Sequence, residues 1–123
     1  MNIITLVLIF ASVLLSVAAQ ILLKNGMSGA RVQTVLGLGN PVNSALTIFT
    51  DLWVIGGLFA YVSSAGIWLI VLSKIEVSKA YPFVGLGFIG TMLFAYWFLN
   101  EPLTVSKIVG TLLIVAGVLV ISR

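Results

Sequence analysis

The sequence predicts an all-α membrane protein: a four-transmembrane-helix antiparallel bundle, built as one domain over residues 1–123. Three observations predict it. Of the 123 residues, 61% are hydrophobic and 7% are charged, where a soluble domain carries about 25% charged residues. So much apolar surface has no stable place except lipid. Four apolar stretches, about 3–23, 52–73, 80–99 and 105–121, come close to the ~20 residues that cross a hydrocarbon layer. Short polar turns join the last three, which makes them antiparallel neighbours.

The first stretch, Ile3 to Leu23, is apolar but for Thr5, Ser12, Ser16 and Gln20. Ser16-Val17-Ala18 has the small-residue look of a signal-peptide cleavage site. No Lys or Arg precedes the apolar run, however, so a span is expected rather than a signal. Residues 24–51 form the one sizeable stretch that does not span. Asn40-Pro41 there reads as an N-cap followed by proline at the first helical position. A short interfacial helix from Pro41 to Phe49 is one expectation; an ordered loop without function is the other.

Asp51 is placed to cap the second stretch, which carries Gly56, Gly57, Tyr61, Ser63, Ser64, Gly66 and Trp68. Lys74 to Lys79 makes a charged turn. The third stretch opens on Tyr81-Pro82, where a proline in the first turn loses no helical hydrogen bond, and continues through Gly85, Gly87 and Gly90. Asn100-Glu101-Pro102 introduces the fourth, which holds Gly110 and Gly117 one heptad apart. Glycine is costly inside a helix, and in lipid the usual return is close approach of two backbones. These glycines therefore predict tight helix packing, with Gly110 and Gly117 as a dimer interface.

Four spans put both termini on one face, with Lys74, Lys79 and Arg123. The opposite face holds Lys24, Arg31 and Lys107. Three against three leaves the positive-inside rule no purchase; either orientation is open, with cytoplasmic termini as the working expectation.

The chain has no Cys and no His, which excludes disulfides, thiol chemistry and the usual zinc sites. A formal charge of +3 without a basic run makes no nucleic-acid surface. The acids Asp51, Glu76 and Glu101 all fall at predicted helix ends, as caps do. With no nucleophile–base pair, metal cluster or phosphate loop, no catalysis, metal or cofactor is expected.

What is unusual is polarity at membrane depth. Ser12, Ser16 and Gln20 recur at i, i+4 and i+8, and Lys24 continues the row to the membrane edge. A polar stripe in a span faces protein or water. For Ser12 interhelical hydrogen bonding is sufficient; for Gln20 packing and function weigh evenly. Tyr96 and Trp97 fit an interfacial aromatic belt. Tyr61 and Trp68 lie deeper and have the better claim to line a cavity, because their polar tips need partners.

The layout resembles the small multidrug resistance proteins and the wider drug/metabolite transporter superfamily, including its EamA-type members. The likeness rests on Ala80-Tyr81, the glycine-rich third stretch, and the run from Gly110 through Gly117 to Ile121; it covers Ser12 to Lys24 and Gly56 to Ile121. The drug pumps of that family carry a membrane-embedded glutamate in helix one, where Ser16 stands here. They also carry a helix-three tryptophan, where Val84 stands. Those departures speak against a proton-coupled exporter of cationic drugs.

A nearer likeness is to the paired small subunits of the bacterial flippase for undecaprenyl-phosphate-linked aminoarabinose. It is carried by Ala19-Gln20-Ile21-Leu22-Leu23-Lys24, Ala80-Tyr81-Pro82, Leu86 with Phe88, and Glu101-Pro102. This resemblance implies a transporter in the bacterial inner membrane that moves a polyprenyl-phosphate-linked sugar. It also implies a homodimer, or a heterodimer with a paralogous four-helix subunit. On it, Ser16, Gln20, Tyr61, Trp68 and Tyr81 would line the substrate cavity, and Lys24 would attract the lipid phosphate. Two other functions stay open: an exporter of a small polar or cationic metabolite, and a non-transporting membrane subunit that assists a glycosyltransferase.

Overall fold

A computed structural model describes residues 2–121 and 123. Helix α1 is Ile3–Met27. Asn2 starts it: its side-chain oxygen accepts from the Thr5 amide at 2.8 Å and the Thr5 hydroxyl at 2.9 Å, satisfying donors that a helix start otherwise leaves unpaired. The helix runs one turn beyond the expected end at Leu23, through Lys24 to Met27.

The stretch before the next span is mostly helical. Helix α2 is Ala30–Gly37 and α3 is Pro41–Thr50. Asn40 caps α3, its side chain accepting from the Val42 and Asn43 amides. Helix α2 was not expected. Its tie to α3 is the Arg31 guanidinium, which donates to the Thr47 carbonyl and the Thr50 hydroxyl, both at 3.2 Å.

Helix α4, Leu52–Leu72, opens on Asp51, whose carboxylate accepts from the Trp53 and Val54 amides. The third stretch starts earlier than expected and is not uniform. Helix α5 is Val77–Ala80, a 3-10 turn takes Tyr81–Gly85, and α6 is Leu86–Phe98. Pro82 accounts for the interruption: the helix has already begun at Val77, so proline lies past the first turn and cannot donate back to the Ser78 carbonyl. Asn100, at φ 57°, ends the stretch in the left-handed region that asparagine tolerates. The Glu101 amide then also reaches the Ala95 carbonyl at 3.1 Å. Helix α7 is Val105–Ile121.

Among the described residues three helical stretches are long and apolar enough to cross a membrane, namely α1, α4 and Val77–Phe98; α7 is a shorter apolar helix. Helix α1 is the centre of the packing. It runs antiparallel to α4, with Gly26 beside Val54, Leu23 beside Gly57 and Ser12 beside Ser64. It runs parallel to α6, where Gly87 meets Val13 and Gly90 meets Val17. Helix α7 lies outside, its Ile114 and Val118 against Gly85.

The tightest approach is between α1 and α4. A Cβ on Gly57 would lie 2.8 Å from Leu23 side-chain atoms and 3.0 Å from its amide nitrogen, and one on Gly26 would lie 2.7 Å from Val54. Two backbones pack that closely only without a side chain between them. By contrast, a Cβ on Gly110 or Gly117 would meet no atom of the chain within 4 Å. Close packing within the chain thus uses Gly26, Gly57 and Gly85, not the two glycines of α7.

Candidate functional site

The antiparallel register of α1 and α4 is pinned by a reciprocal pair. The Ser12 hydroxyl donates to the Ser64 carbonyl, and the Ser64 hydroxyl donates to the Ser12 carbonyl, both at 2.9 Å. Both serines are buried, so Ser12 is spent on joining helices.

Beside this pair the helices leave a cavity of about 290 Å³, with Ser12 and Ser64 in its wall. Beyond that pair its α1 side includes Val13, Ser16 and Gln20, its α4 side includes Tyr61 and Trp68, and the 3-10 turn adds Tyr81 and Val84. Five of the six residues singled out as substrate-binding therefore share one cavity, drawn from three separate segments. The sixth, Lys24, does not line it; Lys24 is exposed one turn beyond Gln20 on α1.

The lining mixes apolar side chains with uncharged hydrogen-bonding groups. No lining residue is charged. The Ser16 hydroxyl is spent locally, donating to the Val13 carbonyl at 2.8 Å. Among the described residues, the side chains of Gln20, Tyr61, Trp68 and Tyr81 have no hydrogen-bond partner within the chain. Those groups provide an amide, two phenols and an indole N–H, all able to donate and three able to accept. Gln20, Tyr61 and Tyr81 are exposed, so the cavity opens to the outside of the chain. Trp68 also leans on the apolar cluster of Ile9, Val13, Val71 and Ala80, which closes the cavity at that end.

Ser64 and Ala65, which also line the cavity, were not singled out from sequence. Ser64 does sit one turn beyond Tyr61 and one before Trp68, a spacing that would have placed it on the same face. The two glycines proposed as a dimer contact stay apart from this site. Gly110 lines a separate groove between α6 and α7 with Thr91, Met92 and Lys107. Among the described residues no cluster of three or more acidic, Cys or His side chains forms.

Membrane-length helices around a cavity without charged groups define a multi-pass membrane protein. The chain belongs to the EamA-like transporter family, which matches residues 1–123. It is 34% identical over 120 residues to the "Probable 4-amino-4-deoxy-L-arabinose-phosphoundecaprenol flippase subunit ArnF" of Serratia proteamaculans, covering 91% of this chain and 87% of that protein. It is 41% identical over 68 residues to the protein of the same name from Enterobacter, covering 53% of each chain. To the corresponding subunit ArnE of Pseudomonas fluorescens it is 37% identical over 71 residues, 58% of this chain and 62% of the relative. No solved structure matches.

Proposed function

We propose that this chain is a flippase subunit that carries a polyprenyl-phosphate-linked sugar, aminoarabinose-like, across the bacterial inner membrane. The observation that carries the proposal is a cavity in which Gln20, Tyr61, Trp68 and Tyr81 present uncharged hydrogen-bonding groups that have no partner within the chain. A sugar head presents hydroxyls that donate and accept, and such a lining answers them. A volume of about 290 Å³ lies at the small end of the ~300–1,000 Å³ found for small-molecule sites. That suits a head group whose tail stays in the bilayer. Relatives named as subunits ArnE and ArnF support the same cargo and a pairing of two such chains.

On this reading α1, α4, α5–α6 and α7 are four spans of an up-and-down bundle, and the chain is a transporter rather than an enzyme. The assembly is a dimer, with itself or a paralogous subunit, through the unpacked glycine face of Gly110 and Gly117. Lys24, at the edge of the α1 stripe, attracts the phosphate as a point charge. A cationic metabolite is the weaker cargo, because no acid lines the cavity to act as its counter-ion.

The test is a lipid-sugar scrambling assay in liposomes, comparing Gln20→Leu with the unaltered chain at equal amounts of folded protein. Leucine suits a membrane helix at least as well as glutamine, so folding should hold while flipping falls. Equal rates would reduce the stripe to helix packing. Flux of soluble metabolites without lipid flipping would favour an exporter. Neither activity, alone or with a paralogous partner, would favour an accessory subunit.

A further inference from the structure

Half of the six Lys and Arg residues converge on one cleft that the proposed function does not use. It lies where α4 ends and α5 begins, and has a volume of about 600 Å³. Lys74, Lys79 and Arg123 line it, with Glu76 as the one acidic side chain among them. Among the described residues none of these four side chains makes an ion pair or a hydrogen bond. Its apolar wall is Leu72 and Phe83. Both also pack on the cluster of Ile9, Val71 and Ala80, as does Trp68, and Trp68 lines the polar cavity. One apolar layer therefore separates the basic cleft from the polar cavity.

We infer that this cleft binds the phosphate group of an anionic lipid, at the end of the molecule opposite Lys24. Three uncommitted cations around one concavity concentrate positive potential there. A guanidinium and ammonium groups are the donors that phosphate oxygens take, and basic pockets between membrane helices hold anionic head groups. The surroundings favour a lipid source over a soluble one. Leu69, Ile70 and Val77, next to the cleft, are exposed apolar side chains, along which a hydrocarbon tail can lie while the phosphate sits among the cations. The inference needs only this cleft, not the sugar cargo. Together with that cargo it supplies a second head-group station, on the far side of the apolar layer.

The experiment is native mass spectrometry of the purified full chain in mixed micelles of phosphatidylglycerol and phosphatidylcholine. The unaltered chain should retain phosphatidylglycerol in preference. Lys74→Gln combined with Lys79→Gln should weaken that retention roughly thirtyfold, taking about 1 kcal/mol for each cation near the surface. Lys74→Arg with Lys79→Arg should keep it, which separates lost charge from lost folding. Arg31→Gln with Lys107→Gln, cations from the other end, should leave it unchanged. If inorganic phosphate displaces the lipid, the cleft reads the phosphate group itself; if it does not, the lipid tail is part of the site. Undiminished retention in the Lys74/Lys79 glutamine variant overturns the inference, and so does an equal loss in both glutamine variants. Scrambling by Gln20→Leu is independent of either result.

Discussion

Gln20 and Ser64 illustrate two uses of a polar side chain in an apolar helix. Ser64 is buried and hydrogen-bonded across to α1, whereas Gln20 is exposed without a partner in the chain. Interhelical hydrogen bonds in membranes average about 0.6 kcal/mol and reach about 1.7 kcal/mol. Ser64→Ala should therefore lower the thermal stability of the protein in detergent by an amount in that range. Its effect on flipping should be smaller than that of Gln20→Leu, because Gly26 and Gly57 still hold the α1–α4 register. Gln20→Leu should do the reverse, with an unchanged melting temperature and slower scrambling. A variant pair that fails to separate in this way would mean that one face serves both purposes. Lys24→Ala should weaken phosphate attraction by roughly 1 kcal/mol, read as a higher lipid concentration for half-maximal flipping.

At the scale of elements, the glycines sort into those already used and those still free. Gly57 sits where any Cβ would press on the backbone and side chain of Leu23. Gly57→Ala should destabilise α1–α4 packing by about 1–3 kcal/mol through overpacking, outweighing the ~1 kcal/mol that alanine gains as a helix former. Gly117→Ala meets nothing within the chain, so the helix preference stands alone and the isolated chain should be slightly more stable. The larger Gly117→Leu should nevertheless weaken crosslinking between copies in native membranes, because the proposed partner packs there. If crosslinking is unchanged, α7 faces lipid rather than another subunit. At about 26 Å by helical rise, α7 is also shorter than a ~30 Å hydrocarbon layer, and such a deficit favours association.

At the scale of the molecule, insertion depends on a near balance of charge. Lys74, Lys79 and Arg123 lie at one end and Lys24, Arg31 and Lys107 at the other, so the positive-inside rule has nothing to weigh. Adding two arginines to the turn after α4 should drive that turn to the cytoplasmic side, as reported by a C-terminal fusion. Adding them beside Arg31 should drive the opposite arrangement. A terminus that keeps one side under both changes would show that a partner sets orientation. The basic cleft makes one end chemically distinct even so, because its three cations share a concavity, whereas Lys107 lines a separate groove.

Much of the architecture was legible in the sequence because it is decided locally. Asn40 and Asp51 cap the helices that they precede, and α7 occupies the expected residues 105–121, since apolar length and capping chemistry need no distant partner. Helix α2 was not legible: its eight residues are held partly by Arg31 reaching to α3, sixteen or more positions away. The early start at Val77 was also missed, and with it the 3-10 turn that Pro82 imposes once it lies past the first turn. The sequence by itself determined that the chain lives in lipid, that it carries polar groups at depth, and that it has no acid among them. Only the tertiary structure decided that Gln20, Tyr61, Trp68 and Tyr81 face one cavity. Their convergence depends on the register between α1 and α4, and that register is set by Gly26, Gly57 and the Ser12–Ser64 pair acting across segments remote in sequence.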